Sequence, residues 1–85
     1  MKSNNSLKRK KVLATLANEL NITVNGSAME LPDGATIENL LTQLELDSRL
    51  VAVEQNLEII PKAGYAQRKI SPGDTIEIVH FVGGG

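Results

Sequence analysis

The residue pair Asn25-Gly26 constrains the fold of this chain more than any other feature. Both residue types tolerate a positive φ, which a two-residue type I′ hairpin turn requires. β-Branched residues alternate over residues 22–24, just before the pair, and residues 28–31 after it suit a returning strand. The sequence therefore predicts a β-hairpin on which the rest of the chain must pack.

After the hairpin the pattern changes from strand to helix and back to strand. Pro32-Asp33-Gly34 predicts a turn, and Thr36 is a candidate N-cap for a helix expected to end near residues 46–47. The apolar face of this helix consists of Ile37, Leu40, Leu41 and Leu44. Short strands are predicted at 50–53, 59–60 and 75–79, with Tyr65 packed against the core. The order β-β-α-β-(β)-β predicts an α+β fold, a ubiquitin-like β-grasp whose mixed sheet is crossed by one helix.

Charge divides the chain into two parts. The first 21 residues are predicted to form a basic N-terminal extension that is weakly helical, through Leu13, Leu16, Ala17 and Leu20, or disordered. From residue 22 onward, four basic residues face nine acidic ones, a balance that disfavours nucleic acid. The β-grasp domain is predicted to span 22–82 and a flexible glycine tail 83–85. No apolar run reaches the roughly 20 residues of a membrane span, so we expect a cytoplasmic protein.

The composition argues against a conventional enzyme. The 85 residues form one small domain without cysteine, which excludes disulfides, thiolate metal sites and cysteine nucleophiles. The single histidine, His80, has no evident orienting partner, and the carboxylates do not cluster as metal ligands do. We expect no catalytic residue, no metal and no bound cofactor.

The unusual feature is the ending, where a β-branched strand runs into three glycines. Glycine has no Cβ, so such a tail can thread a narrow channel, although a flexible linker would look the same. Fully extended, residues 82–85 reach about 13 Å. We predict that the carboxylate of Gly85 is the working group and is adenylated by a partner, while Val82, Gly83 and Gly84 thread the partner's site. Apolar side chains of the last strand form the predicted docking face, namely Ile76, Ile78 and Phe81.

Several short motifs between residue 22 and residue 85 occur together, and the ending is the most specific of them. They are Val24-Asn25-Gly26, Leu31-Pro32-Asp33-Gly34-Ala35-Thr36, Val51-Ala52-Val53-Glu54, Asn56, Glu58-Ile59-Ile60-Pro61-Lys62, Tyr65, Pro72-Gly73-Asp74 and Ile76-Glu77-Ile78-Val79-His80-Phe81-Val82-Gly83-Gly84-Gly85. Through these motifs the chain resembles ThiS, the family of sulfur carriers of thiamine biosynthesis.

The resemblance implies a set of partners. A ThiF-like enzyme would use ATP to adenylate Gly85, a cysteine desulfurase route would supply sulfur for a thiocarboxylate, and a ThiG-like thiazole synthase would accept that sulfur. Two features depart from the family pattern. The basic extension is not part of the usual compact domain, and Lys62 stands where the family usually has arginine, which keeps the charge without the bidentate geometry.

Other functions remain open from the sequence. The small subunit of molybdopterin synthase shares the fold and a Gly-Gly ending, but typically carries a proline-rich segment where this chain has His80-Phe81-Val82. Sulfur carriers for other products are also compatible. A TGS-like RNA-binding module would suit residues 31–36 and the basic extension, and a ubiquitin-like modifier attached to lysines would suit the glycine ending.

Overall fold

The computed structural model describes residues 19–81, which form one five-stranded sheet and one α-helix. The elements are β1 (Glu19–Val24), β2 (Ser27–Pro32), α1 (Ile37–Gln43), β3 (Val51–Gln55), β4 (Glu58–Ile60) and β5 (Thr75–His80), with 3₁₀ turns at Ser48–Leu50 and Lys62–Gly64. The strand order is β2-β1-β5-β3-β4. Only the central pair, β1 with β5, is parallel. This mixed sheet with one helix confirms the predicted β-grasp fold.

The predicted hairpin is present, and Asn25 in its turn also forms hydrogen bonds to a third strand, β5. Asn25 and Gly26 have φ angles of 49° and 84°, and Val24 pairs with Ser27 across the turn. The Asn25 side chain also bonds the main chain of Ile78, since Oδ1 accepts from its N–H at 2.7 Å and Nδ2 donates to its carbonyl at 3.1 Å. Asn25 therefore sets the turn and continues the hydrogen bonding of β5 beyond the end of β1.

Strand β1 begins at Glu19, three residues before the predicted start of the domain. Leu20 pairs with Leu31 of β2 and is only 3% exposed, so the prediction that a weakly helical or disordered extension runs through Leu20 to residue 21 is wrong for residues 19–21. Leu20 and Ile22 alternate onto the core face, and cross-strand packing there outweighs the helical spacing of the preceding leucines. Residues 1–18 of the predicted extension lie outside the described residues.

Helix α1 has the predicted start and an earlier end. The Thr36 hydroxyl accepts from Asn39 N at 3.1 Å, and the Asn39 side chain accepts from Thr36 N at 2.9 Å, which completes a capping box. Glu45 adopts a φ of 59°, and the N–H groups of Glu45 and Leu46 bond the carbonyls of Thr42 and Leu41. This Schellman closure ends the helix at Gln43 rather than near residues 46–47.

One core lies between the helix and one face of the sheet. Its buried side chains come from α1, from alternate positions of all five strands and from the later loops: Leu20, Ile22, Leu31, Ala35, Ile37, Leu40, Leu41, Val51, Val53, Ile60, Tyr65, Ile70 and Ile76. Tyr65 is packed into it as predicted. In the described part of the chain, no helix is long and apolar enough to cross a membrane.

Candidate functional site

The residues predicted to carry the chemistry lie beyond the end of the described structure. Gly85, Gly84, Gly83 and Val82 lie outside residues 19–81. The structure shows the base from which they leave, because β5 is the central strand and Phe81 follows its last residue. The segment after Phe81 therefore follows the strand at the centre of the sheet, which has two strands on either side.

The main chain at this base is bonded on both sides of β5. Phe81 N donates to the carbonyl of Leu50 at 2.8 Å, one position beyond the pairing of Val51 with His80. On the other side, where β1 has already ended, the Asn25 side chain bonds both main-chain groups of Ile78. The last residues of β5 are therefore held along their length.

A lysine joins the start of β3 to the ring of Phe81. Lys62 Nζ donates to the carbonyl of Val51 and lies 5.2 Å from the centroid of the Phe81 ring, within the range of a cation–π contact. The Tyr65 hydroxyl also lies 3.4 Å from the Val51 oxygen. Lys62 thus satisfies a main-chain acceptor and an aromatic ring together.

An ion pair between Arg49 and Asp47 lies just before β3. Two hydrogen bonds from the Arg49 side chain, at 3.0 and 2.7 Å, and one from its N–H lower the pKa of Asp47 to about 2. The charge of His80 contributes a smaller lowering. Asp47 is therefore ionised under all ordinary conditions and keeps a fixed negative charge near the end of β5.

The structure revises the predicted docking face. Ile76 is fully buried and Ile78 is half-buried against the core, because both lie on the sheet face that α1 covers. A partner cannot reach Ile76 while the fold is intact, so it drops out of the docking face. Phe81 is 51% exposed and Val79, which sequence reasoning did not select, is 60% exposed. The accessible apolar surface of β5 is thus Val79 with Phe81.

The open face of the sheet, away from the helix, combines apolar side chains with carboxylates. Val79 lies opposite Ala52, and Ile59 of β4 is largely exposed beside them. Glu54 lies directly opposite Glu77, a like-charge pairing that disfavours the sheet. At the other end of the face, partial desolvation and then the charge of Glu30 raise the pKa of Glu19. None of the described strand residues on this face is basic, so the surface suits a basic partner.

At the opposite end of β5 from Phe81 lies a buried polar network that the sequence did not reveal. Asp74 accepts hydrogen bonds from Gln55 Nε2 at 2.7 Å, Asn56 Nδ2 at 3.0 Å and Ser71 N at 2.8 Å. Arg68 Nε donates to Gln55 Oε1 at 2.7 Å. Residue types such as Pro72-Gly73-Asp74 are typical of a turn, and only the contacts in the folded structure show that Asp74 also joins two loops to β3.

This network predicts an acid dependence of stability. Burial alone would raise the pKa of Asp74, but the three hydrogen bonds and the charge of Arg68 lower it below its usual 3.8. A lowered pKa in the folded state stabilises the protein above about pH 4, and this contribution is lost as the pH falls through the folded value.

We therefore expect Asp74→Asn to reduce the free energy of unfolding by about 1–3 kcal/mol at pH 7, because a charged acceptor is lost from a buried network. The difference from the wild type should shrink as the pH falls below 4. Urea unfolding of both proteins at pH 7 and pH 3 measures it, and a difference that stays constant would contradict the assignment.

Within residues 19–81, no three His, Asp or Glu side chains come together as a metal site. The described residues form the base from which the segment after Phe81 leaves the domain.

Comparison with known proteins gives a consistent picture. The ThiS family model matches residues 9–85. The sulfur carrier protein ThiS of Bacillus subtilis is 49% identical over 53 residues, which cover 62% of this chain and 80% of that protein. A crystal structure of the thiamine biosynthesis protein ThiS from Geobacter metallireducens superposes with a TM-score of 0.63 at 33% identity, covering 78% of this chain and all of that one.

A longer relative contains a similar segment. A thiazole synthase from Paramagnetospirillum magneticum is 48% identical over 66 residues, which are 78% of this chain but 20% of that protein. The chain therefore spans about one fifth of the length of this relative and four fifths of the Bacillus subtilis protein.

Proposed function

The chain belongs to the ThiS family, and on that premise we propose that it is a sulfur carrier of thiamine biosynthesis whose working group is the carboxylate of Gly85. The observation that carries the proposal is the family match, which extends through the glycine ending to residue 85. The architecture supports it, because the central strand β5 leads directly to this ending.

The proposed chemistry takes place in partner enzymes. An oxygen of the Gly85 carboxylate attacks the α-phosphorus of ATP, pyrophosphate leaves, and an acyl adenylate forms. A persulfide supplied through a cysteine desulfurase route then attacks the carbonyl carbon and displaces AMP, which gives an acyl disulfide. A thiol reductant cleaves the S–S bond of this intermediate and leaves the thiocarboxylate. A ThiF-like enzyme would hold ATP and stabilise the charge that develops. This chain would contribute recognition and a tail narrow enough to enter that site.

A thiazole synthase is proposed as the acceptor of the sulfur. The Paramagnetospirillum magneticum thiazole synthase contains a segment 48% identical to this chain within a much longer protein. A carrier segment joined to a synthase would act at a high effective concentration, which is useful only if the two work together. We infer that the present carrier serves a ThiG-like synthase.

Docking on the adenylating enzyme is proposed to use the accessible side of β5. Val79 and Phe81 supply apolar contact area close to where the chain leaves the domain, and Glu77 with Glu54 supplies negative charge beside them. The partner surface should therefore be apolar at its centre and basic at its rim. Attraction of this kind speeds encounter and weakens with salt.

The experiment that tests the function is an intact-mass measurement. The untagged protein is incubated with a ThiF-like enzyme, ATP and a sulfur source, and a mass gain equal to sulfur replacing one oxygen is expected. Omission of ATP is the control. An unchanged mass in the presence of an enzyme that loads its own carrier would contradict the proposal.

A further inference from the structure

Lys62 lies where the carrier domain gives way to its C-terminal segment. Its Nζ donates to the Val51 carbonyl and stands 5.2 Å from the centroid of the Phe81 ring. We propose that Lys62 is a positioning residue for sulfur loading, which fixes the direction in which the chain leaves the domain after Phe81. The inference rests on the proposed function and adds a residue that acts through Phe81.

Strand β4 ends too early to provide a main-chain donor for the Val51 carbonyl, so a side chain takes this role. The pairing of Val53 with Ile60 would, if continued, bring residue 62 opposite Val51. Strand β4 stops at Ile60, Pro61 has no N–H, and the chain turns into the 3₁₀ turn Lys62–Gly64. The Val51 carbonyl thus loses a main-chain partner, and the Lys62 ammonium takes its place.

Two groups of Phe81, its N–H and its ring, are linked to the start of β3. Its N–H bonds the Leu50 carbonyl at 2.8 Å, and its ring faces the Lys62 ammonium, which is itself bonded to the next residue, Val51. The main-chain bond fixes the position of Phe81, and the ring contact fixes its rotation. Together they define one orientation for the bond that continues the chain.

This orientation matters because Gly85 lies four residues beyond Phe81, so a small change of direction at Phe81 displaces the Gly85 carboxylate. Residues 82–85 reach about 13 Å when extended, so a rotation of roughly 10° at Phe81 moves the end by about 2 Å. Holding Phe81 in the free carrier reduces the ordering that binding must otherwise impose. Loss of this restraint should therefore raise the KM for the carrier. It should change kcat little, because the enzyme itself holds the tail once the carrier is bound.

The first test replaces Lys62 with methionine, which keeps the unbranched stem and removes the charge and the donors. We expect Lys62→Met to raise the KM for the carrier about three- to tenfold with kcat within about twofold. Lys62→Arg should restore most of the affinity, because arginine can also donate to Val51 and stack on the ring. Lys69→Met, which removes the same charge from an exposed site elsewhere, is the matched control.

A double-mutant cycle separates positioning from direct contact with the enzyme. In a Phe81→Leu background, Lys62→Met should have little further effect on KM if Lys62 acts through the ring. Equal effects in both backgrounds, or no effect of Lys62→Met in the wild type, would overturn the proposal.

Hydrogen exchange at the Phe81 amide supplies a readout independent of loading. We expect exchange at this amide to become faster in Lys62→Met while core amides of β3 and β5 keep their protection. Unchanged protection at Phe81 would also overturn the proposal. The two proposals can fail separately. If the wild-type protein is never loaded with sulfur, yet Lys62→Met speeds exchange at the Phe81 amide, the proposed function is contradicted while the contact between Lys62 and Phe81 is supported.

Discussion

Deletion of Gly85 is expected to abolish sulfur loading while the domain stays folded. The new terminus, Gly84, would end about 3.3 Å short of the position that the adenylating site holds next to the α-phosphorus of ATP. Misplacement of a reacting group by 1 Å can cost about a hundredfold in rate, so the loss should be at least that large. Intact mass after incubation with the enzyme, ATP and a sulfur source measures the loaded fraction.

Two controls make this deletion informative. Addition of one glycine after Gly85 keeps every native residue and changes only the position of the terminal carboxylate, and it should impair loading as well. The thermal unfolding midpoint of both variants should match the wild type, because the described core consists of residues between 20 and 76. A deletion variant that is loaded at the normal rate would refute Gly85 as the acceptor.

Ile76→Ala is expected to remove a large part of the stability of the domain. Ile76 is fully buried in the central strand, and truncation of such a side chain costs about 2–5 kcal/mol. At roughly 0.05–0.15 kcal/mol per residue, the described 63-residue domain has about 3–9 kcal/mol of stability in total. The midpoint of thermal unfolding should therefore fall by at least about 10 °C.

Val79→Ala is the matched control on the same strand. Val79 points to the open face, is 60% exposed and lies opposite Ala52, so its truncation should change the free energy of unfolding by less than about 1 kcal/mol. The proposed docking surface predicts instead a weaker affinity for the adenylating enzyme. If Val79→Ala destabilised the fold as strongly as Ile76→Ala, the assignment of the two faces of β5 would be wrong.

Local signals in the sequence were sufficient for most of the fold. Asn25-Gly26 set a turn, Thr36 capped a helix, and the alternation around Ile76 and Ile78 marked a strand, because each depends on neighbours a few residues away. The prediction for Leu20 was wrong because its secondary structure depends on a residue far away in the chain. Its spacing from earlier leucines suited a helix, and only the distant partner Leu31 decided that it belongs to a strand.

The candidate site was predicted less completely, since its contacts join residues far apart in the chain. Both Phe81 and Ile76 were selected for the docking face, and the structure shows Phe81 exposed and Ile76 buried. Alternation shows that residues share a face without showing which face is covered. The contacts of Lys62 with Val51 and Phe81 could not be read from spacing. Gly85 was chosen from the chemistry of its position, and its role stays a prediction.

The pairing of β1 with β5 has a consequence for how the domain folds. These adjacent strands are about 50 residues apart in the chain, and β5 is both the central strand and the last strand of the described residues. Such non-local pairing slows folding, because a long loop must close before its contacts stabilise it. A nascent or cleaved chain that lacks β5 has no complete core. An enzyme that recognises the folded sheet would therefore bind only chains in which β5 has already joined it, so correct folding becomes a condition for recognition of the segment after Phe81.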